Sequence, residues 1–107
     1  MTTYVQITTT TTTREEALRI ARALVEQRLA ACGQVSGPIT SVYWWQGAVE
    51  TSEEWRCEVK TRATLFTRVA AAIGALHSYA VPQIVAVPLT ATSAEYGVWL
   101  DAVVPAA

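Results

Sequence analysis

Charge is the scarcest property of this 107-residue sequence. Asp, Glu, Lys and Arg make up 16% of it, where soluble domains commonly carry about 25%. So little charge does not hold copies of a small chain apart, and an oligomer is the first expectation. Long apolar runs are absent too. None reaches the roughly 18 residues of a membrane span, and the opening Met1-Thr2-Thr3-Tyr4-Val5 has neither a basic segment nor a signal-like apolar core. The expectation is a cytoplasmic protein with no membrane insertion. Eight basic residues against nine acidic ones leave a formal net charge of -1. The arginines are scattered, so the basic footprint that nucleic acid requires is missing.

Catalytic groupings are equally sparse. The one histidine, His77, has no nucleophile beside it, and the five glycines form no phosphate-cradling loop. With no paired nucleophile and base, the sequence reads as a non-enzyme and offers no catalytic residue. Its two cysteines, Cys32 and Cys57, are expected to be free thiols.

What is present is periodicity. Thr3 to Thr9 alternates like a strand, with Val5, Ile7 and Thr9 on one face. Thr13-Arg14-Glu15-Glu16 has the T-x-x-E form of a capping box, and Leu18, Ala21, Val25 and Leu29 follow at helical spacing, which predicts a helix over about 14 to 31. Ser36-Gly37-Pro38 marks a turn or irregular edge before strands over Ile39 to Gln46 and Ala48 to Arg62, joined at Gln46-Gly47. In the second of these, Trp55, Cys57, Val59 and Thr61 share one face and Arg56, Glu58, Lys60 and Arg62 the other. Thr64 is the expected cap of a helix carrying Phe66, Val69, Ile73 and Leu76 and ending near His77. A strand over Gln83 to Leu89 and a short helix with Tyr96, Trp99, Leu100 and Val103 close the chain. At this length the chain makes one domain, 1–107. The element string is the ferredoxin-like βαββαβ arrangement of the α+β class, with an extended β2-β3 hairpin and a short C-terminal helix. Right-handed crossovers put both long helices on one sheet face and leave the other bare.

That raises the question of Ser41-Val42-Tyr43-Trp44-Trp45-Gln46-Gly47. Consecutive aromatics in a strand point to both faces, and this hairpin is too long for the domain's own core to cover it. Burial of Tyr43, Trp44, Trp45 and Trp55 against other subunits is the expected solution, each large side chain contributing about 1.5–3 kcal/mol.

Four stretches resemble the CutA proteins, named for divalent-cation tolerance: ARALVEQRLAACGQVSGPITSVYWWQG (21–47), EVKTR (58–62), LHSYAVPQIVAVPL (76–89) and EYGVWL (95–100). The resemblance implies the ferredoxin-like fold, a homotrimer that is PII-like in architecture, and a link to copper and other divalent ions. Where the family commonly reads H-P-Y-E-V-P-E, this chain has His77-Ser78-Tyr79-Ala80-Val81-Pro82-Gln83, so two carboxylates are replaced by Ala80 and Gln83.

Cys32, His77 and Tyr79 match family positions near a cleft between subunits. A thiolate with an imidazole suits copper or zinc, which makes Cys32 and His77 the candidate metal ligands. They stand alone in sequence, so a site has to be assembled across the fold or across subunits. The bland readings are a small buried thiol and a helix-ending histidine that meets the helix carbonyls. Arg28 falls in the apolar arc of the first helix and Lys60 on a charged strand face, where a snorkelling stem and an ion-pair ladder are the ordinary readings. The alternative function is a PII-like small-molecule sensor holding a small anionic ligand near Tyr79, Lys60 and Arg28. A third is a structural trimeric scaffold.

Overall fold

The computed structural model describes residues 3–106. Strands β1 (Tyr4–Thr11), β2 (Cys32–Trp45), β3 (Ala48–Arg62) and β4 (Val85–Pro88) form one sheet in the order β2-β3-β1-β4. Every neighbouring pair is antiparallel. Helices α1 (Arg14–Glu26), α2 (Phe66–Leu76) and α3 (Ala94–Val103) complete the expected string. The α+β, ferredoxin-like reading holds.

The alternation of β1 and β3 decides where the core lies. Val5, Ile7, Cys57 and Val59 point to one face and are buried with Ala17, Ile20 and Leu24 of α1 and Val69 and Ile73 of α2. Gln6, Thr8, Glu58 and Lys60 alternate onto the opposite face. That face carries a polar ladder, in which Gln6 donates to Glu58 and Lys60 donates to Gln34.

The first helix is shorter than its periodicity predicts. It ends at Glu26, and Arg28 takes a left-handed φ of 60°. The Leu29 N–H bonds the Leu24 carbonyl and the Arg28 N–H bonds the Val25 carbonyl, the paired bonds of a Schellman ending. Leu29, Ala30 and Ala31 are buried by this turn and not by further helix. Arg28 therefore lies outside the helical arc, and its Nη1 donates to the Val103 carbonyl at the end of α3. Next, β2 begins at Cys32 instead of Ile39, with its register shifting between Ser36 and Ile39 at the expected irregular point. The hairpin turns at Gln46 and Gly47, whose φ of 50° and 82° match the turn that follows strand twist.

Thr64 does not cap α2. A 3-10 turn, Ala63–Leu65, leads into the helix, and the Phe66 N–H bonds the Ala63 carbonyl, so no side chain is needed there. The last strand is also shorter than Gln83 to Leu89, pairing only with Val5 to Thr8. Ser93 caps α3, and the Leu100 and Val104 side chains join the core. Arg62 and Tyr4 hold the end of this helix at Asp101, with Arg62 donating also to the Val104 carbonyl. Thus α3 closes the sheet end where β1 starts and β3 finishes, and the second face is bare only beyond it.

Gly33 sits where β2 passes under α1: a Cβ there would lie 2.8 Å from the Ala21 Cβ. Gly33→Ala is expected to destabilise the chain by about 1–3 kcal/mol through overpacking. Gly74, on α2 with open space around it, is the matched contrast, and Gly74→Ala should stabilise by about 0.5–1 kcal/mol. Urea unfolding of both variants reads the two signs.

Candidate functional site

The segment after α2 is fastened to three other elements, β1, α1 and β3. β4 pairs with β1 only as far as Thr8, so the Thr10 carbonyl at the sheet edge has no strand partner there. His77 supplies it: Nε2 lies 2.8 Å from the Thr10 oxygen. The Tyr79 N–H donates to Nδ1 at 3.1 Å, which makes Nδ1 an acceptor and places the ring proton on Nε2. The ring is fully buried, and both of its nitrogens are engaged. His77 thus ends α2 as expected, but it serves a strand carbonyl and not the carbonyls of its own helix.

Glu16 completes the fastening. Thr13 accepts from the Glu16 N–H, half of the predicted capping box. The carboxylate turns away to accept from the Ser78 N–H at 2.8 Å and the Ser78 hydroxyl at 3.1 Å. Burial works against the Glu16 charge. The two Ser78 bonds, with His77 and Arg19 nearby, outweigh it and hold the carboxyl below its ordinary range.

So held, Tyr79 reaches over to the hairpin side. Its hydroxyl donates to Glu54 Oε2 at 2.6 Å and accepts from Thr12 at 3.2 Å. Burial first, then the Glu54 bond, pushes the Tyr79 phenol up to about 12. Between this segment and the hairpin runs a groove of about 740 Å³, lined by Tyr43, Trp44, Trp45, Glu54, Tyr79 and Val81 among others. Glu54 is its carboxylate and is itself buried.

The other expected residues lie elsewhere. Cys32 pairs with Lys60, and Lys60 with Gln6. His77 binds four residues further along β1, a displacement of about 13 Å in the strand direction. Cys32 meets the Tyr96 hydroxyl at 3.4 Å. That contact first, then burial, pushes the Tyr96 phenol up to about 12. Lys60 donates to Gln34 and Arg28 to Val103, and neither lines the groove that holds Tyr79. Among the described residues, no three His, Cys, Asp or Glu side chains converge as a metal site. The donors of one chain do not by themselves fit a metal centre. In the hairpin, Trp44 is 75% exposed, and Tyr43 and Trp45 are exposed as well. Trp55 instead packs on the core and over Gly37, where a Cβ would meet its ring at 2.8 Å.

Sequence reasoning passed over Glu16, Glu54, Ser78 and Thr10. Glu16 carried a signal, but one that reads as a cap. Glu54 falls in Glu50-Thr51-Ser52-Glu53-Glu54, a run that reads as solvated strand, and nothing local marks it as buried.

Two helices on one face of a β2-β3-β1-β4 sheet, with a hairpin that outruns the core, define a ferredoxin-like α+β protein. The chain belongs to the CutA1 divalent ion tolerance protein family, whose sequence model matches residues 5–103. It is 44% identical to the "Divalent-cation tolerance protein CutA" of Thermus thermophilus over 91 residues, 85% of this chain and 88% of that one. It is 42% identical to the protein of the same name from Archaeoglobus fulgidus over 87 residues, 81% of this chain and 84% of the relative. The crystal structure of CutA1 from Oryza sativa superposes with a TM-score of 0.94 at 30% identity, covering 99% of this chain and 97% of that one.

Because the folded Glu16 carboxyl titrates below its unfolded value, its stabilisation is present above the unfolded range and is lost as pH falls through the folded value. The stability gap between the native sequence and Glu16→Gln should therefore narrow as pH drops from about 7 to about 3, read by urea unfolding at each pH. Cys57 is 1% exposed, and burial first, with Glu58 adding, pushes its thiol up to about 11. Alkylation of the folded protein should leave Cys57 unmodified, and denaturant should release it, with the sites read by peptide mass.

Proposed function

We propose that this chain is the subunit of a cytoplasmic homotrimer, PII-like in architecture, that takes part in divalent-ion tolerance by binding copper or a related soft cation. Family membership over residues 5–103 carries the tolerance half of this reading. The hairpin supports the assembly half. Val42, Tyr43, Trp44, Trp45 and Val49 form a contiguous exposed apolar arm, and Val85 and Val87 of the edge strand are exposed too. A small monomer does not ordinarily leave such a patch in water, and packing against other copies would cover it.

Cys32 is the metal contact in this reading. It is half-buried on the face opposite α1 and α2, whereas Cys57 is buried toward them, so the two thiols lie on opposite sides of the sheet. Their separation keeps them from pairing with each other. A soft thiolate suits copper, with the remaining ligands supplied across subunits. His77 is assigned to the loop, because coordination there would break a hydrogen bond to Thr10 or to Tyr79. The same engagement leaves no free imidazole nitrogen for proton transfer, which supports binding and not catalysis. A PII-like ligand-sensing role is the second reading, favoured by the groove beside Tyr79.

Native mass spectrometry under reducing conditions, with and without a slight excess of copper, tests both halves. The expected spectrum is a trimer that gains about one copper per subunit, and Cys32→Ser should abolish the gain while keeping the subunit number. A monomer would end the assembly reading, and a metal-free trimer would shift the function to the groove.

A further inference from the structure

The groove between the hairpin and the His77–Gln83 segment has a chemistry that soft-metal binding does not use. Its volume, about 740 Å³, is that of a small-molecule site. Glu54 lies within it and is only 6% exposed. Among the described residues no Lys or Arg pairs with this carboxylate, and its one hydrogen bond comes from the Tyr79 hydroxyl to Oε2. A buried carboxylate without a cationic partner is costly and attracts a positive charge. Tyr43 and Trp45 line the groove on the same strand face as Glu54, and aromatic ring faces attract cations.

Ligand count separates the kinds of cation. A hard divalent ion takes six or more oxygen ligands, commonly from several carboxylates, and among the described residues Glu54 is the only carboxylate lining this groove. A soft ion asks for sulfur or imidazole, and neither cysteine nor His77 lines it. A cation whose charge is spread over alkyl groups needs no such shell and gains from apolar and ring contact. We propose that the groove binds a small organic cation of the quaternary or alkylated ammonium class, its charge facing Glu54 and its alkyl groups against Tyr43 and Trp45, which share the strand face of Glu54. The sign of the ligand is opposite to that expected from the sequence, because Lys60 and Arg28 are spent elsewhere and Glu54 takes their place.

This proposal does not rest on metal binding, but the hairpin that lines the groove is also the arm proposed to meet other subunits, so the proposal requires the groove to stay open in the assembly. If the hairpin is a subunit contact, the groove lies along it, so the assay uses the full chain in its native assembly. Choline is the probe, and 3,3-dimethylbutan-1-ol, its uncharged isostere, is the comparison, followed by tryptophan fluorescence and isothermal calorimetry. The expected result is saturable choline binding that quenches the tryptophans, with the isostere weaker by roughly tenfold or more. Glu54→Gln keeps an acceptor for Tyr79 and should weaken choline by roughly tenfold. Trp45→Leu changes a side chain outside the core cluster and should lower both affinity and quench, so the test stands even if Glu54→Gln does not fold. Absence of saturable binding, equal binding of the isostere, or unchanged affinity in a folded Glu54→Gln variant would overturn the proposal. Copper binding of either outcome leaves these readouts unaffected.

Discussion

Two helices are enough to cover one face of this sheet and no more, and most of the protein's other features answer to that limit. The apolar alternation of β1 and the second half of β3 is spent on the α1 and α2 side, where Ile7, Val59, Ile20, Leu24 and Val69 are almost completely buried. The opposite face has to be satisfied by polar pairing, which Gln6, Glu58, Gln34 and Lys60 provide, and by α3 at one end. The first half of β3 and the second half of β2 extend past the helices altogether. Their ladder is regular from Ile39 to Trp45, so backbone hydrogen bonding keeps the arm formed even where no core lies beneath it. The molecule is drawn out to 44 × 25 × 23 Å as a result. Its aromatics sit on that arm because an exposed hairpin gains stability from cross-strand side-chain contact, and because a large apolar surface has most to gain from a second body.

The loop after α2 meets a different constraint, that of unpaired backbone at a sheet edge. A short β4 leaves part of β1 without a neighbour, and a buried carbonyl without a partner costs about as much as a lost hydrogen bond. His77, Glu16 and Ser78 solve this together. The ring bonds a strand carbonyl on one side and a loop N–H on the other, while the carboxylate holds the next residue. The consequence for the candidate site is position. Tyr79 arrives over Glu54 because the two residues before it are pinned. A family-like H-x-Y-x-x-P stretch therefore works in this chain as a structural clasp, and the replacement of acidic residues by Ala80 and Gln83 leaves the groove with a single carboxylate.

The two cysteines show the same separation of roles. Cys57 fills the core beside Val59 and is chemically quiet for that reason. Cys32 lies at the start of β2 on the other face, against Tyr96 of α3, where its sulfur is within reach of whatever meets that surface. A single strand position, inward or outward, decides which thiol is packing and which is open to chemistry.

Periodicity and turn chemistry determined the element string, the inward faces of β1, β3 and α2 and the turn at Gln46-Gly47, because those are local properties of alternation, propensity and turn residues, whereas β2 runs back to Cys32, seven residues before its expected start. Periodicity misjudged the end of α1, since Leu29 and Cys32 keep helical spacing while a Schellman turn at Arg28 has already stopped the helix, and no glycine announces it. Family resemblance supplied the names of Cys32, His77 and Tyr79. Only the tertiary structure decided that His77 is consumed by the Thr10 carbonyl, that Arg28 and Lys60 are bonded away from Tyr79, and that Glu54 is buried in an aromatic groove. Each of these joins residues far apart along the chain: Thr10 with His77, and Glu54 with Tyr79. A side chain's partner across such a separation is set by where strands end and loops return, and that is a property of the whole fold, not of any window of sequence.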